Sequence, residues 1–196
     1  MQKEFNRFEV SGTLENISHL KTGTFLTVSY MSGNKKNYRI LIEYTGSLNG
    51  IYPKQRVLVK GRAVGRRNHM MENNETRFTA SSVAPEKTML EMTYGEKGRY
   101  FYPSHAYAYF AGRVIKVTEA YGWRRAVISA DGQELELSTK LHEGMAQVRE
   151  GDFMWAVCSL ASKEETIKNG HKLHTSSIVT MDYRAAPYKG GNEEQG

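Results

Sequence analysis

Apolar and polar positions alternate along the chain in short runs rich in β-branched and aromatic residues, the pattern of half-buried strands. Phe5 to Leu14 alternates loosely and contains Ser11-Gly12-Thr13-Leu14, which predicts a bent first strand, because a glycine inside a strand marks a bulge or a barrel corner. Phe25 to Tyr30 and Asn37 to Tyr44 predict the next two strands, joined by the hairpin signal Ser32-Gly33-Asn34. Gly46 to Gln55 contains Gly, Asn and Pro, a poor composition for a long helix, and reads as a connector. The run Val57-Leu58-Val59-Lys60 then leaves through the glycine-punctuated stretch Gly61 to Asn68, and Thr76 to Val83 returns from it as a fifth strand.

The second half repeats this plan. Phe110-Ala111-Gly112-Arg113-Val114 echoes Val10-Ser11-Gly12-Thr13-Leu14 a hundred positions later. Ala126 to Ala130 and Glu134 to Thr139 flank Asp131-Gly132, a two-residue hairpin turn. Arg149-Glu150-Gly151-Asp152 precedes the apolar run Phe153 to Leu160 as Pro53-Lys54-Gln55 precedes Val57. His174-Thr175-Ser176-Ser177-Ile178 echoes Thr79-Ala80-Ser81-Ser82-Val83. A repeat of this length predicts two copies of one small β domain. The expected division is residues 1–86, an aromatic-rich linker at 87–106, residues 107–184, and a flexible tail at 185–196. Five short strands with a long loop between the fourth and fifth suit the OB-fold, a partly open barrel that binds oligonucleotides. The expected fold class is thus all-β, two tandem five-stranded OB-fold barrels, with an SH3-like barrel or a small sandwich as alternatives.

Charge sharpens this picture. The net charge of +6 favours an acidic partner. Residues 1–98 hold 15 Lys+Arg against 9 Asp+Glu, and residues 99–196 hold 12 against 12, so the surplus belongs to the first half. No acid occurs between Glu43 and Glu72, where Lys54, Arg56, Lys60, Arg62, Arg66 and Arg67 fall. The single cysteine, Cys158, allows no intrachain disulfide and suits a reducing cytoplasm, and no apolar run has the length of a membrane span. Neither leader nor membrane partner is expected. The phosphate-cradling, dinucleotide and zinc-protease signatures are absent, and His171 and His174 have no second ligand cluster nearby. The expectation is a non-enzyme without cofactor or metal.

The first half carries Tyr38-Arg39-Ile40-Leu41-Ile42, then Tyr52-Pro53-Lys54-Gln55-Arg56 leading into Val57 to Arg62, then Asn73-Asn74-Glu75-Thr76-Arg77-Phe78-Thr79. In these stretches around the basic hairpin it resembles the bacterial single-stranded DNA-binding protein family. The resemblance covers about residues 5–84, and in the second half it persists around Val148 to Asp152. The first half has no tryptophan, and Asn37 and Asn68 stand where two of the family's stacking rings align, so the chain reads as a divergent form with two OB-folds in one chain. The resemblance implies single-stranded DNA binding with little sequence specificity, in replication, recombination or mobile-element transfer. It also implies a homodimer, since members usually present four OB-folds. RNA is a further candidate partner, and a protein-interaction scaffold the alternative function.

Binding of this kind needs a cationic track for phosphates and aromatic faces for bases. The candidate track is Lys35, Lys36, Arg39, Lys60, Arg62, Arg66, Arg67 and Arg77, with Tyr30, Tyr38 and Phe78 as candidate platforms. In the second half Tyr121, Trp123, Arg124 and Arg125 are expected on the turn between the first two strands, and Lys172 on the second long loop. Trp155 reads as core, and the aromatic join Tyr100 to Tyr109 as either a stacking ladder or glue between domains or subunits.

Overall fold

A computed structural model describes residues 2–31, 37–68, 73–86, 104–140, 145, 147–166 and 172–188, with the main chain alone at 66–68, 73–75, 162–166 and 172–176. The described residues form ten strands: β1 (Phe5–Leu20), β2 (Gly23–Met31), β3 (Asn37–Tyr44), β4 (Arg56–Asn68), β5 (Asn73–Pro85), β6 (His105–Ala120), β7 (Trp123–Ala130), β8 (Gln133–Lys140), β9 (Asp152–Thr166) and β10 (Lys172–Pro187). They include no helix, and therefore none long and apolar enough to cross a membrane.

Each half closes a five-stranded barrel. In the first, β1 pairs β2, β2 pairs β3, β3 runs parallel to β5, β5 pairs β4, and β4 returns to β1. In the second, β6, β7, β8, β10 and β9 close in the same order, with β8 parallel to β10. Alternation explains the cores: Phe8, Val10, Leu14, Leu26, Val28, Ile40, Ile42, Val57, Val59 and Phe78 turn inward in one barrel. Val114, Ile128, Leu135, Leu137, Cys158, Leu160 and Ile178 do so in the other.

The hundred-residue echo is a structural repeat. Gly12 and Gly112 lie so close to the carbonyl oxygens of Ser29 and Ser129 that an added Cβ would sit 2.2 and 1.9 Å from them. Both first strands carry a bulge, at Leu14/Asn16 and at Val114/Lys116. The connectors dock alike. Lys54 (φ 71°) donates its amide to Leu14 O at 2.6 Å, and Gly151 (φ 86°) donates to Val114 O at 2.9 Å. One expected echo is displaced. The register places Phe78 opposite Ile42 and Ile178 opposite Leu137, and each last strand skips one residue, Ser81 and Met181, at its bulge. The counterpart of Thr79–Val83 is therefore 179–183, five residues beyond the His174–Ile178 match. Short Ser/Thr-rich runs recur on half-exposed strands, whereas bulge and core contacts set register.

Strand ends also differ from the sequence reading. β1 runs on to Leu20 because the ladder to β2, from Asn16–Thr27 to Leu20–Gly23, continues after the hydrophobic pattern fades. β10 continues to Pro187, and Tyr188 stacks on Phe153 with ring centroids 6.0 Å apart, past the expected start of the tail. The Asp131-Gly132 turn forms as expected, with both residues at positive φ. Ser32-Gly33-Asn34 lies outside the described residues.

The barrels join edge to edge into a ten-stranded sheet through an antiparallel β1–β6 ladder, from Phe5–Ala111 to Ser11–His105. Phe8 faces Ala108, its own repeat counterpart, so a local pseudo-two-fold axis passes between them. Side-chain contacts also cross between the barrels. The Tyr30 hydroxyl donates to Leu160 O, Arg62 meets Asp131 at 3.8 Å, and Glu4 accepts from the Asp131 amide at 3.0 Å. The backbone of β4 at Gly65 presses on Glu134, whose carbonyl oxygen would lie 1.9 Å from an added Cβ. The basic β4–β5 hairpin is thereby laid over β8 of the second barrel.

Candidate nucleic-acid interface

The structure gathers the expected site residues into two places and leaves others apart. On the outer face of the sheet at the seam, Arg7, Lys60, Arg62 and Tyr109 line a cleft of about 750 Å³. Lys60 meets Glu9 at 3.0 Å, and His105 meets the other oxygen of Glu9 at 3.0 Å. Burial pushes Glu9 up, but hydrogen bonds and charges from Lys60 and His105 outweigh it and hold the carboxyl below its usual range. Lys60–Glu9 and Arg62–Asp131 are both exposed ion pairs. Such pairs contribute at most about 1 kcal/mol, so a phosphate can replace the carboxylate at low cost. Arg66 and Arg67 continue β4 toward the hairpin tip, with their side chains outside the described residues, as are Lys35, Lys36 and the side chain of Lys172.

The second place lies between the barrels. Tyr30 and Tyr38 are paired across β2 and β3 and stacked, with centroids 5.8 Å apart. They sit on the inward-facing series of their strands, beyond the end of the barrel core, and so face the second barrel. There Trp123, Lys140, Tyr107 and Met181 complete a cleft of about 510 Å³. Tyr30 itself is buried. Burial, and then the neighbouring Tyr38, push its phenol well above the ordinary tyrosine range.

Arg39 stands elsewhere, on the outer face of β3 opposite Ser29. Its charge, after the hydrogen bonds of Lys54 and Ser29, helps hold Glu15 below its usual range despite slight burial. Arg77 faces Val64 across the basic hairpin and is half-buried.

Several expectations are corrected. Phe78 is a core residue packed edge-on to Phe8, with centroids 5.3 Å apart, because it occupies the inward series of β5; it offers no face to a base. Tyr30 is likewise buried as a platform. The turn between β6 and β7 is Tyr121-Gly122 alone, so Trp123, Arg124 and Arg125 belong to β7. Alternation sends Arg124 inward, where it pairs with Glu119 and donates to Val148 O at 2.8 Å, a structural role. Arg125 points outward and meets Glu136 at 3.5 Å. Tyr121 is 99% exposed at the tip. Trp155 is half-buried against Phe153.

The sequence reading did not single out Arg7, Met31, Lys140 or Met181. Met31, Lys140 and Met181 stand on strands whose ladder partners lie in their own half, so no local pattern announces the cleft they share, and Arg7 alone lies on a strand paired across the halves. Tyr107 and Tyr109 stood inside the aromatic join. Alternation puts both on one face of β6.

Ring closure by a parallel third–fifth strand pair, twice in one chain, defines the class: a tandem OB-fold protein. Solved structures share this architecture. A deletion mutant of the single-stranded DNA binding protein from Thermus aquaticus is similar with a TM-score of 0.63 and 14% identity, covering 99% of this chain and 100% of that one. The wild-type form of that protein is similar with a TM-score of 0.61 and 15% identity, over 99% and 98% of the two chains. At this identity the likeness is one of fold. No family model and no curated protein sequence matches the chain.

Proposed function

We propose that the chain binds single-stranded DNA with little sequence preference and protects it during replication, recombination or mobile-element transfer. The observation that carries this reading is the full-length likeness, both barrels included, to a protein named for single-stranded DNA binding. The confinement of the positive surplus to the barrel with the long β4–β5 hairpin supports it. Lys60, Arg62, Arg66 and Arg67 supply the phosphate track, the protein is not an enzyme, and it works in the cytoplasm. Its domains divide as residues 1–86 and 105–188, because β6 begins at His105 and β10, with Tyr188 stacked behind it, belongs to the second barrel.

Labelled oligo-dT, titrated at two salt concentrations and challenged with duplex DNA and single-stranded RNA, tests the reading. Salt-sensitive binding that single-stranded DNA displaces best is expected. Displacement by RNA equally well would make it an RNA-binding module, and no binding at low salt would leave a protein-interaction scaffold. Replacing Arg66→Ala and Arg67→Ala together flattens the salt slope by about 0.7 for each phosphate that is no longer neutralised. An unchanged slope would remove the hairpin from the site.

We further propose that two chains pair to present four OB-folds. The resemblance to a family whose members usually present four OB-folds supports this pairing, since one chain supplies two barrels. Sedimentation equilibrium is expected to give twice the chain mass; the mass of one chain at micromolar concentration would refute the pairing.

A further inference from the structure

The cleft between the barrels combines groups that neither barrel holds alone. One wall is Tyr38 with Met31, the other is Tyr107 and Trp123, and Lys140 and Met181 complete it. Trp123 and Lys140 are cross-strand partners in β7 and β8, so an indole and an ammonium group stand side by side. Tyr107 is stacked on His105 with centroids 5.3 Å apart, which holds its ring in place. The Tyr30–Leu160 hydrogen bond ties one wall to the other and fixes their spacing. Met31 and Met181 are 56% and 59% exposed, and large apolar groups so placed on a polar surface mark contact sites. The volume, about 510 Å³, lies within the ~300–1,000 Å³ range of sites that enclose small ring systems.

Aromatic faces of this kind accept nucleobases whatever their sequence, and a cation beside them suits the phosphate between successive bases. We propose that this cleft is the crossing point at which a bound single strand passes from the first barrel to the second, with bases stacked on Tyr107 and Trp123 and a phosphate at Lys140. The inference rests on the single-strand reading above and extends it to the second barrel, which has no positive surplus. The cleft, and not a second basic track, engages that half. A strand held there spans both barrels, so the occluded length exceeds what one barrel covers.

The test uses the full chain with Trp155→Phe, which leaves Trp123 as the sole tryptophan. Oligo-dT of about 35 nucleotides, longer than the ~4–16 that one OB-fold covers, is titrated while anisotropy and tryptophan emission are recorded. Binding with quenching of Trp123 is expected. Tyr107→Ala weakens binding by about 5- to 150-fold, the loss of one base stack, and Tyr107→Phe restores it. Should Tyr107→Ala unfold the chain, Met181→Glu, at an exposed position, puts a like charge against the phosphates and weakens binding by about tenfold or more. Tight binding without quenching, and with unaltered affinity in these variants, overturns the crossing while leaving the single-strand reading intact. No binding by the parent chain overturns both. Quenching by thymidine monophosphate alone, at the nucleotide concentration where the oligomer saturates, overturns the crossing in favour of a mononucleotide pocket.

Discussion

Volume at single positions shows how two divergent repeats fill equivalent barrels. Phe8 faces Gly61 across β1 and β4, while their counterparts Ala108 and Cys158 face each other across β6 and β9. A large ring against no side chain in one barrel becomes two small side chains in the other. An added Cβ at Gly61 would meet the Thr79 carbonyl oxygen first and the Phe8 ring at 2.8 Å, so a side chain there requires both a smaller partner at position 8 and a shift of β5. The exchange leaves Cys158 buried, which pushes its thiol up to about 12, partly opposed by a contact with Thr180. Tyr30 is raised for the same reason, with the second contribution from Tyr38. Both folded values exceed the unfolded ones, near 9 and 10, so each group's stabilisation is complete below the unfolded value and is lost as pH rises toward the folded one. Unfolding free energy is therefore expected to fall from about pH 9 upward, by up to ~1.4 kcal/mol per pH unit for each group, and the melting temperature falls with it. Cys158→Ala should shallow that slope, and the native thiol should resist alkylation until the chain unfolds. A melting temperature constant to about pH 11 would contradict the assignment.

Strands and their neighbours explain what the sequence could reveal. Strand alternation, the two bent glycines and the Asp131-Gly132 turn are local signals, and from them the ten strands, the repeat and the tandem barrels were legible. The candidate track was legible as charge. Which charges face together was not, because register across bulges and between halves decides that. Asn6 illustrates the point. Its side-chain amide donates to Ala63 O at 2.7 Å and accepts from Ala63 N at 2.9 Å, continuing the β1–β4 ladder after the main chain has turned to β6. The matching carbonyl in the second barrel, Leu160 O, is satisfied from outside by Tyr30. Equivalent positions thus use different side chains, and nothing near Asn6 in sequence announces its partner. Asn6→Ala leaves both groups of Ala63 without that partner in a buried place, at about 1–3 kcal/mol each. A loss of about 2–6 kcal/mol in chemical denaturation is expected. A change below about 0.5 kcal/mol would mean water replaces the amide.

At the scale of the whole molecule the two barrels are a single sheet and not beads on a linker. The β1–β6 ladder places β1 in the middle of the sheet, paired to β4 on one side and β6 on the other between Phe8 and Ser11. The barrel closures therefore share a strand border: unfolding the first barrel strips β6 of a partner, and unfolding the second does the same to β1. Buried backbone groups left unpaired are costly, so a half-unfolded chain is disfavoured beyond the loss of its own core. The Tyr30–Leu160 bond, the contact of β4 with Glu134 and the walls of the inter-barrel cleft add to that coupling. Calorimetry should accordingly give one transition whose van't Hoff and calorimetric enthalpies agree per folding unit. Asn6→Ala should lower that single transition without splitting it. Two resolved transitions would show that the barrels fold independently, and the cleft would then be a surface that opens with either barrel. A single transition that oligo-dT shifts upward as one unit would instead mean that binding at either barrel stabilises both, as the shared β1–β6 border requires.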